Sequence, residues 1–245
     1  MAFELNLEVM THDIDVNCNA TPSAVIRYLQ ETVDRNLGAC HPSYQELLDK
    51  GLSFVVSRTA LKLARPLKEY EPIKVTTWAT ESKSAAFPRN YRITIGDETV
   101  AECIMTWALI DIKEGRLLRG SQFSVEGYGT GELLELDMPS RLRLPREIEF
   151  TKCGSEKVMY RDIDRNRHMN NVKYFDLLWS YIPSCDKLTM TSCLMNYVNE
   201  AKWGDEIEIS ISAPESLDNG ETAYYFRTES KGNTNIEARF TVKEI

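Results

Sequence analysis

The sequence predicts an α+β chain in which one unit is used twice, and two observations carry this. The stretch DIDVNCNATPS near the start and the stretch DIDRNRHMNNVK in the second half align at a constant offset. Asp15 meets Asp164, Asn17 meets Asn166 and Asn19 meets His168, a shift of 149 (164 − 15). Each stretch is then followed by a helical pattern and by several strand patterns. An apolar helix stripe has to be covered, and strands that follow it in sequence cover it as an antiparallel sheet.

In the first half, Thr21 reads as a helix cap with Pro22 at the first helical position. Val25, Ile26, Leu29, Val33 and Leu37 then form one apolar stripe. A second helix, found only in this half, is read over 41–50 and closed by Gly51. Strands follow at 54–63, 73–80, 90–95 and 99–110. In the second half Asn170 reads as the cap, and Val172, Phe175, Trp179 and Ile182 are the stripe of a helix that ends at Pro183. Its strands are read at 189–198, 206–213, 221–229 and 236–242. Between the halves, Gly120, Gly127, Gly129, Gly131, Pro139 and Pro145 break regular structure. The expected organisation is an N-terminal unit over 1–119, a linker over 120–150 and a C-terminal unit over 151–245.

Composition narrows the function. With 245 residues, 42% of them hydrophobic, the chain can bury a real core. The longest nearly apolar run, 103–110, is far too short to span a bilayer. The opening MAFELNLEVM has acidic Glu4 and Glu8 and no basic leader, so neither a signal peptide nor a transit peptide is expected. Six cysteines lie scattered without a C-x-x-C, and there are only three histidines, so no metal site is expected. Reduced thiols in the cytoplasm follow as the expectation. A net charge of −8 argues against general binding to nucleic acid or anionic membrane, while leaving room for a local basic patch.

The chemistry concentrates at Asp164, Asn166 and His168. Read as an extended segment, their spacing of two puts a carboxylate, a carboxamide and an imidazole on one side of the backbone. A helix N-terminus follows, whose free N–H groups and partial positive charge suit a polarised carbonyl oxygen. Together these read as a hydrolytic site. Asp15 and Asn17 recur without the histidine, so the aspartate and asparagine also have a structural reading as turn formers. His12 and His41 have no partner pattern, and Glu31 and Asp34 read as solvated helix charges.

The same stretch, DIDRNRHMNNVKY, resembles the motif D-x-D-x-N-x-H-x-N-N-V-K-Y of plant and bacterial acyl-acyl carrier protein thioesterases, with every fixed position present. Glu200, in NYVNEAKWGDEIEI, fits the glutamate that the family places about thirty residues later at a strand end; Ala201 stands where the plant enzymes carry a cysteine. The resemblance implies a tandem double hotdog: two curved antiparallel sheets, each wrapped around a long central helix. It also implies one site, in the C-terminal half, with the N-terminal half shaping the acyl pocket. Pro66 falls near the position of Glu200, and the first half lacks the histidine. The activity implied is hydrolysis of fatty acyl-carrier protein to free fatty acid, without a cofactor. Glu200 or Asp164 would activate water or attack directly, His168 would orient water or thioester and assist proton transfer, Asn166 would hold the water or His168, and amides after His168 would bind the oxyanion. Which carboxylate is the base stays open, as do acyl chain length and a monomer against a homodimer. The partner implied is an acyl-loaded carrier protein. Arg161, Arg165, Arg167 and Lys173 around the motif, or Arg141, Arg143 and Arg146 in the linker, are the basic clusters that would dock it or simply form a solvated rim. The alternatives are a general acyl-CoA thioesterase, a hotdog hydratase or dehydratase, and a non-enzymatic acyl-thioester sensor.

Overall fold

A computed structural model describes residues 2–245. The first helix, α1, spans Pro22–Ala39; the Thr21 side chain caps it by accepting from the Ala24 amide. Its buried face is the expected stripe, Val25, Ile26, Leu29, Val33 and Leu37. Helix α2, Tyr44–Asp49, starts later than the pattern implied, because Ser43 caps it in a reciprocal box with Glu46. Gly51 follows with φ +75°, a conformation that side chains with a Cβ resist.

The strands are β1 (Phe3–Glu8), β2 (Leu52–Leu63), β3 (Pro72–Ala79), β4 (Phe87–Ile95), β5 (Glu98–Asp111) and β6 (Arg116–Leu118) in the first half. The second half has β7 (Phe150–Lys157), β8 (Leu188–Tyr197), β9 (Glu206–Ser212), β10 (Glu215–Ser216), β11 (Thr222–Ser230) and β12 (Asn233–Glu244). They form one sheet, ordered β1-β3-β4-β5-β2-β8-β12-β11-β9-β7, with β6 on β5 and β10 on β11. From either edge to the centre the order is the same: β1 answers to β7, β3 to β9, β4 to β11, β5 to β12, and β2 meets β8. All the pairings between these strands are antiparallel, and at the centre Ala60 lies opposite Leu194.

Three expectations are corrected. The sheets of the two halves are not separate, because β2 and β8 both offer a free strand edge and hydrogen-bond to each other. The second helix is not long. Helix α3 covers only Lys173–Trp179. Its start is delayed by a turn in which the Asn170 carbonyl accepts from the Lys173 amide and the Asn170 side chain from the Val172 amide. Its end is forced by Pro183 and by Ser184, which sits at φ +56°. Four strands were also missed: the short β6 and β10, and the two edge strands β1 and β7. β1 alternates half-buried and exposed residues and pairs β3 at the edge. β7, with sequence FTKCGSEK, is mostly exposed and shows no apolar alternation to read.

Both helices lie on one face of the sheet, over Leu61 and Cys193. Alternation along the strands turns Ala60 and Leu194 to the other face. The chain between the halves packs there through Leu136, Met138, Leu142, Leu144 and Ile148. The linker arginines therefore belong to the face opposite α1 and α3. Among the described residues, no helix is long and apolar enough to cross a membrane.

Candidate active site

The motif begins with a tight turn instead of the extended segment expected. The Asp164 side chain accepts from the Asn166 amide at 2.8 Å, its carbonyl from the Arg167 amide at 3.0 Å, and its own amide donates to the His168 carbonyl at 3.0 Å. Arg167 takes φ +68° to close the loop. An aspartate that captures an amide two residues on competes with extended backbone, and here it wins. His168 is then held from outside: the next amide, of Met169, donates to the Ala201 carbonyl at 2.8 Å. That bond lays the turn beside the loop after β8, which carries Glu200.

His168 consequently sits between two carboxylates. Its Nδ1 is 3.8 Å from Asp164 Oδ1 and its Nε2 is 3.7 Å from Glu200 Oε1. Both are ion-pair distances just outside hydrogen-bond range, which a small side-chain rotation closes. The His168 side chain is 19% exposed and that of Glu200 58%, so the glutamate stands on the solvent side of the imidazole. Asn166 reaches across to the first half, where the Tyr44 hydroxyl donates to its Oδ1 at 3.0 Å. This fixes the carboxamide and leaves its Nδ2 as a donor. All four predicted residues thus gather in one place.

The oxyanion amides do not follow the expectation. The Met169 amide is taken by Ala201, that of Asn170 by the Asp162 carbonyl at 2.8 Å, and those of Val172 and Lys173 by Asn170. In this stretch the Asn171 amide is the one without an acceptor among the described residues. Asn171 lines the pocket and lies on a turn ahead of a short helix, so one amide of the expected set remains open.

Asp164, Asn166 and His168 line a pocket of about 890 Å³, counting its open mouth. Its other wall comes from the first half: Ile26, Val33 and Leu37 of α1, Phe54 and Val56 of β2, and Trp107 of β5. Val33, Leu37, Phe54 and Trp107 also line an adjoining apolar cavity of about 340 Å³, counting its open part, with Phe87, Val125 and Tyr128 on its wall. On the second half's own helix the face turned to the sheet is occupied by rings. Phe175, Trp179, Phe226 and Phe240 meet there in edge-on and tilted ring contacts.

Sequence reading missed Tyr44 and the place of Asp34 at the pocket, where its half-buried side chain keeps solvent contact. Asp34 lines the pocket, 3.5 Å from Arg165 Nη2, and Arg165 lies over the Tyr44 ring at 4.2 Å. Burial raises the Asp34 carboxyl above the usual range, against the pull of Arg165. No spacing rule links residues 34, 44 and 165, so only the fold brings them together. Ala201 is buried at the plant cysteine position. Cys193 and Cys103 are buried too, and burial holds both thiols well above their usual pKa, hence protonated.

Family models match the chain in two pieces: the acyl-ACP thioesterase N-terminal domain over residues 1–122 and its C-terminal domain over 147–244. The chain belongs to the acyl-ACP thioesterase family. Curated relatives include a chloroplast palmitoyl-acyl carrier protein thioesterase of Arabidopsis thaliana, 22% identical over 242 residues and covering 91% of this chain. Another, a chloroplast acyl-carrier-protein hydrolase of Cuphea viscosissima, is 22% identical over 239 residues, or 92% of this chain. The aligned region is 58% of the length of each of these plant proteins. Among solved structures, an acyl-ACP thioesterase from Bacteroides thetaiotaomicron superposes with TM-score 0.84 at 19% identity, covering 99% of this chain and 98% of that one. The 12:0-ACP thioesterase from Umbellularia californica gives TM-score 0.85 at 15% identity, over 100% of this chain and 94% of that one. The acyl-ACP thioesterase fold of this chain is thus of the hotdog type, a large antiparallel sheet with few helices.

Proposed function

We propose that the protein hydrolyses fatty acyl-carrier protein, releasing free fatty acid, at a single site in its C-terminal half. The observation that carries this is His168 flanked by Asp164 and Glu200 at the mouth of a pocket whose apolar wall belongs to the other half. In this reading the fold is a tandem double hotdog. The unit over 1–119 supplies the acyl pocket, 120–150 is the linker, and the unit over 151–245 supplies the chemistry. The mirrored strand order and the repeated turn support that division.

Glu200, on the solvent side, removes a proton from water poised near His168 Nε2. The water oxygen bonds to the thioester carbon, and charge builds on the carbonyl oxygen, to which Asn166 Nδ2 is a fixed donor. The proton taken by Glu200 passes to His168 Nε2. Collapse breaks the C–S bond, and the imidazolium gives that proton to the departing thiolate of the carrier arm, returning both side chains to their starting state. Asp164 holds the turn and orients the imidazole. This division of labour favours Glu200 as the base over Asp164, whose Oδ1 is committed to the turn. Direct carboxylate attack is the lesser variant, and no thiol takes part. A carrier protein docks at Arg161, Arg167 and Lys173, which flank the motif in sequence, in the cytoplasm. A general acyl-CoA thioesterase would share the site without needing those charges.

The test is incubation with a panel of acyl-carrier proteins of differing chain length, scoring free fatty acid by mass spectrometry. Release of fatty acid at one or more lengths is the expected result. Acyl-carrier proteins left intact while the matching acyl-CoA is hydrolysed would overturn the reading.

A further inference from the structure

We propose that the far end of the acyl cavity recognises an oxygen carried by the acyl chain itself, through the guanidinium of Arg89. This rests on the thioesterase reading of the site. Arg89 lies on β4 opposite Ala79 of β3 and Met105 of β5, and is 5% exposed. It lines the cavity of about 340 Å³ but not the pocket that contains His168. A chain that starts at His168 passes Val33, Leu37 and Phe54, which line both spaces, before it meets Arg89.

The guanidinium is only partly used by the protein. Its Nε donates to Thr77 Oγ1 at 3.0 Å and its Nη2 donates to Asn36 Oδ1. Both acceptors are neutral. No ion pair joins Arg89 to a carboxylate, and Nη1 has no protein acceptor among the described residues. Burial lowers its pKa, the mark of a charge held out of water without a counter-charge. A guanidinium does not shed its proton, so the charge stays. A buried cation with neutral partners alone is costly to a fold, and a plain methyl end packed against it would strip away any remaining solvation. A hydroxyl or carboxylate oxygen near the chain's end would instead accept from Nη1, and a carboxylate would also neutralise the charge. Phe87 and Trp107 leave the rest of the wall apolar, which suits a hydrocarbon stem with one oxygenated end.

The experiment compares plain, ω-hydroxy and ω-carboxy acyl chains on carrier protein, over a series of lengths, with wild type and Arg89→Met. At the length that reaches Arg89, wild type should favour an oxygenated chain by about tenfold or more in kcat/KM, as one charge-assisted hydrogen bond allows. Arg89→Met should lose that preference and gain on plain chains. Preference for both oxygenated chains identifies hydrogen bonding; preference for the carboxylate alone identifies charge pairing. Plain chains winning at every length, or an oxygen preference that survives Arg89→Met, would overturn the proposal. A second readout needs neither turnover nor the variant. The monoamide of an α,ω-diacid, labelled with ¹³C at its one free carboxyl, is bound to wild type and titrated by NMR. Its carboxyl should ionise at a lower pH than in free solution; titration as in free solution would count against Arg89. Failure to hydrolyse any carrier-bound chain would defeat the thioesterase reading, while the titration still judges Arg89.

Discussion

In both halves an aspartate side chain receives the amide of an asparagine two residues on: Asp15 from Asn17 and Asp164 from Asn166, each at 2.8 Å. In both, the aspartate amide donates to the residue four on, and the next-to-last residue of the turn has positive φ, Cys18 at 56° and Arg167 at 68°. Even the neighbouring loop repeats. The Lys68 amide meets the Glu71 side chain as the Lys202 amide meets that of Asp205, a shift of 134 in each case (202 − 68 and 205 − 71). That shift places Pro66 at the position of Glu200. The two asparagines each reach into the opposite half, Asn17 to the Asp186 carbonyl and Asn166 to Tyr44.

What differs is small in number and large in chemistry. Asn19 is buried and clamped by Lys68 Nζ at 2.6 Å, whereas His168 faces a pocket. Pro66 has nothing to offer a water molecule, whereas Glu200 does. The comparison shows Asp164 building the same turn as Asp15, and it is why the proposed mechanism assigns reactivity to His168 and Glu200. The helices divide labour in the opposite sense. Long α1 leaves cavities beneath it, while short α3 is packed solid by Phe175, Phe226 and Phe240. In the proposed mechanism one half carries the reacting groups and the other the acyl pocket.

The largest effect that would break this comparison is at Glu200. Glu200→Ala should lower kcat by on the order of a hundredfold or more, as loss of an acid–base group does. Its solvent-side position predicts little change in melting temperature. Next comes the docking surface. Reversing Arg161, Arg167 and Lys173 together should lower kcat/KM on acyl-carrier protein by about tenfold at low salt, flatten its salt dependence and spare a small thioester. The same reversal at Arg141, Arg143 and Arg146, on the opposite face of the sheet, should do neither. Stopped-flow or steady-state rates across a salt series decide it.

A smaller effect sharpens the role of the bridge between halves. Tyr44→Phe removes only the hydroxyl that holds Asn166, so kcat should fall about two- to tenfold, the worth of one hydrogen bond. An unchanged kcat would free Asn166 from that role. The smallest concerns sulfur. Cys193→Ala should cost about 1–2 kcal/mol of stability in chemical denaturation, from lost burial and a small cavity, with kcat unchanged. Capture of an acyl group on any cysteine by mass spectrometry would contradict attack by water.

Much of this was legible in the chain itself. The helix stripe of α1 and the eight central strands follow from period and turn chemistry, and the repeat marked where the halves match. The edge strand β7 was hidden because an exposed edge needs no apolar alternation, and Lys, Glu, Gly and Ser dominate it. The length of α3 was hidden because Val172, Phe175 and Ile182 keep helical spacing through a turn that is not helix. Asp164, Asn166, His168 and Glu200 were chosen from the motif and do lie together, but the turn that joins the first three was not foreseen, since spacing of two suits a strand equally well. Tyr44, Asp34 and Arg165 meet only through contact between halves, which a linear pattern does not record.

The central claim is that chemistry belongs to the half with His168 and not to its repeat. The direct measurement is fatty acid release from acyl-carrier protein by two variants, His168→Asn, which copies the first half's residue, and Asn19→Ala. The account predicts that His168→Asn, folded by circular dichroism, falls by on the order of a hundredfold or more, while Asn19→Ala keeps its kcat within a few-fold of wild type. Near-wild-type release by a folded His168→Asn protein would contradict it.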